Sequence, residues 1–303
     1  MRVTQNMMSN MFVSNLRRQT EAMAQRQEQI ATQKRINRPS DDPGGMGRVL
    51  AGRSELSAIE QYAYNIVQGK ARLEASEEVL SLVDGLIAQA QSIAEANGGA
   101  GKTASERELA AEQVKEIYDQ VLQLGNSKFG GRYLFAGDQN DSAPFTRDDD
   151  YAATYHGDGG SFKLSISDHA VVTIDADGRN YFQDAADGGV NIFDELRALI
   201  DGLENSDVAV GSTQISATVD SLEEARVQIM NKRTEAAPKL YRLEATERYL
   251  SNVKTSVQDR IAGAEDADTA QAVIELKNLE TAYESTLEAA SRIIQPSLVN
   301  FLS

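Results

Sequence analysis

Apolar residues recur every seven positions over two long stretches of the chain. Such heptads are typical of long helices that pack against other helices. The pattern predicts one helix over residues 44–97 and a second over residues 213–262. The register positions are Ile59, Ile66, Leu73, Leu80, Ile87 and Ala94 in the first stretch, and Ile215, Leu222, Ile229, Ala236, Leu243, Leu250 and Val257 in the second.

Two shorter apolar seams predict further helices, one from Ala110 to Leu124 and one from Leu276 to Ile294. The glycine-rich segment 98–101 is expected to separate the first long helix from the third, and the glycine pair at 130–131 to end the third. Pro238 lies inside the second long register, where its missing N–H predicts a bend rather than an end.

Between residues 133 and 190 the pattern changes to short alternating runs. Strands are predicted at Ala153–His156, Phe162–Ile166 and Val171–Ile174, separated by Gly/Asp turns that include Asp177-Gly178. Asn191 then predicts the N-cap of a short amphipathic helix. We expect a β-rich insertion that contributes no heptad position, so that the helices would fold without it.

These patterns predict a mainly α protein, a long-helix antiparallel bundle or coiled-coil rod with a small β-rich outer insertion domain. The division that we expect has terminal helices over 1–43 and 266–303, a helical rod over 44–132 and 191–265, and the outer domain over 133–190. The first segment has a sparse seam with Phe12 and Leu16, and the last helix keeps its apolar spacing to its end. Both ends are expected to need partners.

Charge and composition narrow the possible functions. The 303 residues are 41% hydrophobic and carry a formal net charge of −16, which disfavours nucleic-acid binding. Residues 1–53 are the exception, with nine Lys/Arg against four Asp/Glu. The chain contains no cysteine, so thiolate metal sites and cysteine nucleophiles are excluded. The first residues lack the pattern of a cleaved secretory signal, and no stretch is long enough for a membrane span.

Candidate chemistry is scarce. Segment 98–103 ends like a phosphate-binding loop but lacks the first glycine and follows a helix, which favours a helix–helix loop. His156 and His169 could form a metal pair, although solvent-facing strand positions fit better. The acidic runs 148–150 and 175–178 favour turns over a calcium loop. No cofactor, metal site or catalytic constellation is predicted, so we expect a protein that is not an enzyme.

The segment from Arg35 to Pro43 is predicted to be a tightly specified joint between two helices. Asp42 can cap the second helix, Pro43 can take its first position, and a proline at position 39 can stop the first helix. An ordinary capped loop and a contact between subunits both explain the pattern. The candidate contact residues are Arg35, Asn37, Arg38, Pro39, Ser40, Asp41, Asp42 and Pro43, together with Phe12 and Leu16.

Three motifs carry a resemblance to a known family. Residues 29–43, Gln-Ile-Ala-Thr-Gln-Lys-Arg-Ile-Asn-Arg-Pro-Ser-Asp-Asp-Pro, resemble the N-terminal signature of the flagellin superfamily. The Asp-Asp-Pro ending favours its hook-associated junction proteins. Residues 131–137 resemble the segment that leads into the outer domain of the family, and residues 283–302 are similar to its C-terminal helix. The motifs cover both ends and the predicted rod.

The resemblance implies a structural role, joining hook to filament at the hook–filament junction of the bacterial flagellum. It also implies type III export without a cleaved signal, an extracellular location, and a ring of subunits. The implied partners are copies of the chain itself, the adjacent hook-associated junction protein, filament flagellin, a cytoplasmic export chaperone and the export apparatus, without nucleic acid or membrane. The residues implied in chaperone binding and terminal-helix assembly are Tyr283, Leu287, Ile294, Leu298 and Phe301.

Two other functions stay open at this point. Filament flagellin would share the motifs, although the small insertion, Pro43 and the first residues argue against it. A cytoplasmic coiled-coil adaptor would explain the heptads, but it would explain neither the insertion nor the three matched segments.

Overall fold

The structure, a computed structural model, describes residues 2–99, 101–139, 141–174, 177–183 and 189–299. The helices in these ranges are α1 (Arg2–Thr32), α2 (Pro43–Asn97), α3 (Ala104–Gly125), α4 (Gly178–Phe182), α5 (Ile192–Glu204), α6 (Val208–Thr234), α7 (Ala236–Glu265) and α8 (Thr269–Val299). The strands are β1 (Lys128–Phe129), β2 (Arg132–Tyr133), β3 (Phe145–Arg147), β4 (Ala153–Tyr155), β5 (Lys163–Ser167) and β6 (Ala170–Thr173). The predicted mainly α fold with a small β insertion is confirmed.

The chain forms two compact units. The terminal unit contains residues 1–58 and 252–303, and the central unit contains residues 59–251. In the central unit, helices α2, α3, α5 and α6 bury a continuous apolar core. The first heptad register is confirmed, because every one of its positions from Ile59 to Ala94 is at most 6% exposed. The predicted 44–97 helix is α2.

The second heptad register is interrupted at Glu235. Its positions are buried from Ile215 to Val257 except for a half-buried Ala236. Helix α6 ends at Thr234 because Pro238, four residues later, has no N–H to donate to that carbonyl, and its ring crowds the same group. Glu235 keeps a helical backbone (φ −66°, ψ −19°). The single helix expected over 213–262 is therefore two helices, and the interruption precedes the proline.

The third helix ends earlier than expected. Helix α3 stops at Gly125, where an added Cβ would lie 3.0 Å from the Phe145 ring. Gly130 and Gly131 instead form the turn between β1 and β2, with φ of 57° and 82°. Only glycine adopts two successive left-handed conformations without strain, so the pair specifies a hairpin and not a helix end. The predicted cap of α5 is confirmed, because the Asn191 side chain accepts from the Phe193 amide.

Within the described residues the insertion forms three antiparallel pairs, β1–β2, β3–β4 and β5–β6. The three predicted strands are confirmed as β4, β5 and β6. Asp177-Gly178 is not a hairpin turn, since Asp177 caps α4. The insertion also contributes to the helical core, contrary to expectation. The rings of Phe145 and Phe182 lie 5.2 Å and 5.9 Å from the Phe193 ring of α5, and both residues are buried.

Helices α1 and α8 pack against each other in the terminal unit. The Gln19 side chain donates to Thr286 Oγ1 (3.2 Å), and Arg26 forms an ion pair with Glu275 (2.9 Å). The contact nearer the C-terminus of α1 is the one nearer the N-terminus of α8, so the two helices are antiparallel. Helix α2 meets α7 at Gly52, where an added Cβ would lie 2.8 Å from the Ile261 side chain.

Candidate assembly site in the terminal unit

The joint between α1 and α2 begins with a left-handed residue. Helix α1 ends at Thr32 and Gln33 has φ 59°. A left-handed residue after the last helical turn is a common way to end a helix. The Thr32 hydroxyl accepts from the Lys34 amide (3.3 Å), which holds the chain as it leaves the helix. Pro39 was expected to stop this helix, but it lies seven residues beyond the end and does not do so.

Asp42 and Pro43 start α2 as predicted. Pro43 is the first helical residue, and Asp42 Oδ1 accepts from the Gly45 amide at 2.8 Å. The Gly45 amide, assisted by the Arg35 guanidinium, holds the pKa of Asp42 below its ordinary value. Gly45 is buried, and an added Cβ would collide with the Asp42 carboxylate and the Ile36 side chain. A larger residue at this position would therefore require the Asp42 and Ile36 side chains to shift.

The turn inside the joint is closed by Asp41. Its Oδ2 atom accepts from the backbone amides of Asn37 (3.0 Å) and Arg38 (2.8 Å). The Asn37 side chain donates to the Lys34 carbonyl at 3.0 Å. These short-range bonds use the polar side chains of the joint within the chain itself. Ser40 lies exposed at the surface of this turn.

Arg35 ties the joint to the end of α7. Its backbone N–H donates to the Glu265 carbonyl (2.6 Å) and its guanidinium donates to the Ala264 carbonyl (2.6 Å). The guanidinium also lies 3.3 Å from the Asp42 carboxylate. The Arg38 side chain forms an ion pair with Glu28 of α1.

Glu265 is the central anion of this region. Its carboxylate lies 2.6 Å from Lys34 Nζ and 2.7 Å from Arg53, while the residue is only 6% exposed. Burial alone would raise the pKa of Glu265, but the hydrogen bonds and charges of Lys34 and Arg53 outweigh it and hold that pKa below its ordinary value. Sequence reasoning missed this residue, because a glutamate in an acidic segment near a helix end gives no local signal of burial.

Two further buried residues, one in the joint and one in the last turns of α1, were missed. Ile36 is 1% exposed, and Gln29 is 5% exposed and donates to the Arg35 carbonyl at 3.1 Å. A usable signal existed for Ile36, which is the single large apolar residue between Thr32 and Pro43. Gln29 is polar and gives no such signal. The joint is therefore a small core of its own, with apolar, amide and charged members.

The predicted residues of the terminal helices lie partly exposed. Phe12, Leu16 and Tyr283 are half-buried, and Leu287 is 44% exposed. Helix α8 also contains positions 294 and 298, whose side chains lie outside the described residues, as does all of Phe301. The described ends thus leave their seam residues incompletely covered, whereas the core of the central unit is buried.

The other segments considered as candidate sites form caps, turns or exposed positions. Thr103 caps α3 in a capping box with Glu106, which confirms the helix–helix loop. His156 and His169 are exposed, as predicted for solvent-facing positions. Asp148 Oδ1 accepts from the Asp150 and Ala152 amides and so forms the β3–β4 turn. Over the described ranges no cluster of three or more potential metal-ligating side chains occurs, and none of the helices there is apolar and long enough to span a bilayer.

Comparison with known proteins bears on the whole arrangement. Residues 3–140 match the family described as the bacterial flagellin N-terminal helical region. Hook-associated protein 3 of Salmonella typhimurium strain LT2 is 26% identical over 260 residues, which cover 80% of this chain and 81% of that relative. Hook-associated protein 3 of Escherichia coli K12 is 24% identical over 300 residues, covering 92% and 93%. These similarities support a hook–filament junction protein of the flagellin superfamily.

The fold agrees with this superfamily. The crystal structure of Xanthomonas campestris FlgL superposes with a TM-score of 0.63 at 14% identity, covering 70% of this chain and 99% of FlgL. A flagellin of Clostridium tyrobutyricum is 19% identical over 136 residues, which cover 45% of this chain and 36% of that flagellin. The filament flagellin alternative is therefore the weaker one, and the comparisons support the superfamily that the sequence motifs resemble.

Proposed function

We propose that this chain is a structural, non-catalytic component of the bacterial flagellum that joins the hook to the filament. The similarity to hook-associated protein 3 carries the proposal, because it covers 92% of this chain and 93% of that relative. On this proposal the protein acts outside the cell, is exported without a cleaved signal by the type III apparatus, and contacts an adjacent hook-associated protein and filament flagellin. The three-part division by residue number expected from the sequence is kept as part of this proposal.

The exposed apolar residues of α1 and α8 support an assembly role for the terminal unit. Met7, Met11 and Val13 of α1 are at least 60% exposed, and Ile274 of α8 is 62% exposed. Leaving such side chains in water forgoes roughly 1.5–3 kcal/mol for each large group that could be buried. We infer that neighbouring subunits cover these side chains in a ring. The C-terminal residues from Tyr283 to Phe301 would be covered by an export chaperone before assembly.

The joint contributes to assembly through the residues that it leaves at the surface. Asp41 and Asp42 bond amides of their own chain, whereas Arg38, Pro39 and Ser40 are exposed. We infer that the acidic residues shape the turn and that the exposed residues contact the neighbouring subunit. This assignment combines the two explanations that the sequence left open, a capped loop and a subunit contact.

Deletion of the gene tests the proposed function. Electron microscopy should reveal intact hooks without filaments, and flagellin should accumulate in the medium, because export continues without a junction on which filaments grow. Expression of the full chain from a plasmid should restore filaments. Filaments of normal number in the deletion strain, or filaments built from this chain itself, would contradict the proposal.

A further inference from the structure

The break between α6 and α7 lies within a continuous exposed face of the central unit. Val227, Met230 and Tyr241 are 43%, 56% and 69% exposed. Thr234, Ala237 and Pro238 lie between them and are also exposed. Five members, Val227, Met230, Thr234, Ala237 and Tyr241, follow one another at three or four residues, a spacing that places helical residues on one side, and Pro238 adjoins Ala237. We call these six residues the junction stripe.

A groove between α2 and α3 forms the second surface. It has a volume of about 460 Å³ and is lined by three leucines and three glutamines together with small residues. Leu82 stands at its edge and is 53% exposed, although leucine side chains usually bury most of their surface. We call it the amide groove and define it by Leu82, Leu86, Gln89, Gln120, Gln123 and Leu124.

Charge distinguishes these two surfaces from the rest of the central unit. Residues 1–58 and 252–303 contain 13 Lys or Arg and 13 Asp or Glu, so the net charge of −16 falls entirely on the central unit. Two copies that approach through this unit repel each other over most of its surface. The residues that line the groove and those that form the stripe carry no charge. No charge of the two surfaces themselves opposes contact between copies there.

We propose that the junction stripe of one copy packs into the amide groove of the next copy. This inference rests on the proposed function, since a ring of identical subunits needs two different surfaces that repeat head to tail. The stripe offers the apolar side chains of Val227, Met230 and Pro238 to the leucines of the groove. The hydroxyl groups of Thr234 and Tyr241 match its glutamine amides, which both donate and accept hydrogen bonds.

The absence of cysteine permits a direct test. A Met230→Cys chain and a Leu82→Cys chain are co-expressed in the deletion strain, and isolated hook ends are oxidised mildly. A disulfide-linked dimer is expected from the mixture and from neither variant alone. Leu109→Cys paired with Met230→Cys serves as the matched control, because Leu109 is 66% exposed on α3 but lies outside the groove lining.

Three outcomes would overturn the inference. They are dimers from Met230→Cys alone, dimers with the Leu109→Cys control at equal yield, and no dimer from the mixture although both chains are present at the hook ends. The third outcome leaves the hook–filament function intact, because the variants have then assembled. If even the wild-type chain is absent from hook ends, the proposed function itself fails.

A charge experiment adds an independent readout. Met230→Glu places a carboxylate on the stripe and should strongly reduce the fraction of cells with filaments, while the melting temperature of the monomer stays unchanged because Met230 is exposed. Gln123→Lys in the same chain should restore filaments, since the lysine of each groove then meets the glutamate of the next subunit. Unchanged filaments with Met230→Glu, or no restoration by Gln123→Lys, would contradict the contact.

Discussion

The ammonium group of Lys34 lies 2.6 Å from the carboxylate of Glu265, at the place where the first and last parts of the chain meet. Arg53 shares the same carboxylate at 2.7 Å. The backbone carbonyl of Glu265 accepts from the Arg35 amide as well, so one residue supports the joint through both its side chain and its backbone.

Replacing Glu265 by Gln should loosen the joint. The variant keeps the shape of the side chain but loses both ion pairs, and we expect a loss of about 1–2 kcal/mol because the two cations are half exposed. Hydrogen exchange of the Arg35 amide measures the local opening. Glu55→Gln is the control, since the exposed Glu55–Arg260 pair should contribute little. Equal protection in both variants would show that Glu265 acts through its backbone alone.

Acid should weaken the same contact. The pKa of Glu265 is lowered in the folded chain, so its contribution is fully present above the ordinary value of about 4.5 and is lost as the pH falls through the lowered pKa. Protection of the Arg35 amide should therefore be constant above about pH 4.5 and should decrease as the pH is lowered below that value. In Glu265→Gln this portion of the pH dependence should disappear. A pH dependence that survives the substitution would have to come from another carboxylate.

Truncation of Phe182 should destabilise the central unit. Phe182 is fully buried between Phe135, Phe145 and Phe193, and removal of such a side chain costs roughly 3–5 kcal/mol. Thermal unfolding of Phe182→Ala measures the loss. Val171→Ala in strand β6 is the control, because Val171 is 52% exposed. If both variants melt alike, the insertion is dispensable for the helices after all.

Removing both acids of the joint should affect motility more than monomer stability. Asp41→Ala with Asp42→Ala deletes the turn closure and the helix cap, which are local contacts, but it also displaces the exposed residues Arg38, Pro39 and Ser40 that precede them. Swimming assays and monomer melting temperatures give the comparison. Asp259→Ala, an exposed carboxylate on α7, controls for the change of charge. Parallel losses in both measurements would make the joint an ordinary capped loop.

The terminal helices should be the first parts of the monomer to be cleaved. Ordering each residue costs on the order of 1–2 kcal/mol, and the half-buried seam of α1 and α8 offsets little of that cost. Limited proteolysis should remove roughly residues 1–38 and 270–303 and leave a resistant fragment. The fragment should keep its melting temperature but fail to restore filaments. Amides in α1 and α8 that exchange as slowly as those of α2 would contradict this prediction.

Periodic features of the fold were predictable from the sequence. Heptads repeat the same information over many turns, so the burial of residues such as Ile66 and Leu222 followed directly from the pattern. Element ends were harder, because they depend on single residues. Two helix ends were not located by composition alone. Gln33, with its left-handed backbone, sets the end of α1, and Pro238, which has no N–H to donate to the Thr234 carbonyl, sets the end of α6.

The other features that were not predicted from the sequence depend on contacts between residues far apart in the chain. Phe145 and Phe182 lie in short segments without periodicity, and only the folded chain brings them to Phe193. In the candidate site, the cap at Asp42 is local and was predicted from its sequence neighbours. Glu265 could not be, because its partners Lys34 and Arg53 lie more than 200 residues away.

The pairing of Arg35 with Ala264 across 229 residues constrains the order of folding. A loop of that length closes slowly, and its closure precedes any gain from the contact. When a chain becomes available for folding with its N-terminus first, α1 cannot contact α8 until almost the whole chain is present. The segment that appears first therefore acquires its native contacts last, after the more local contacts of the central unit have formed.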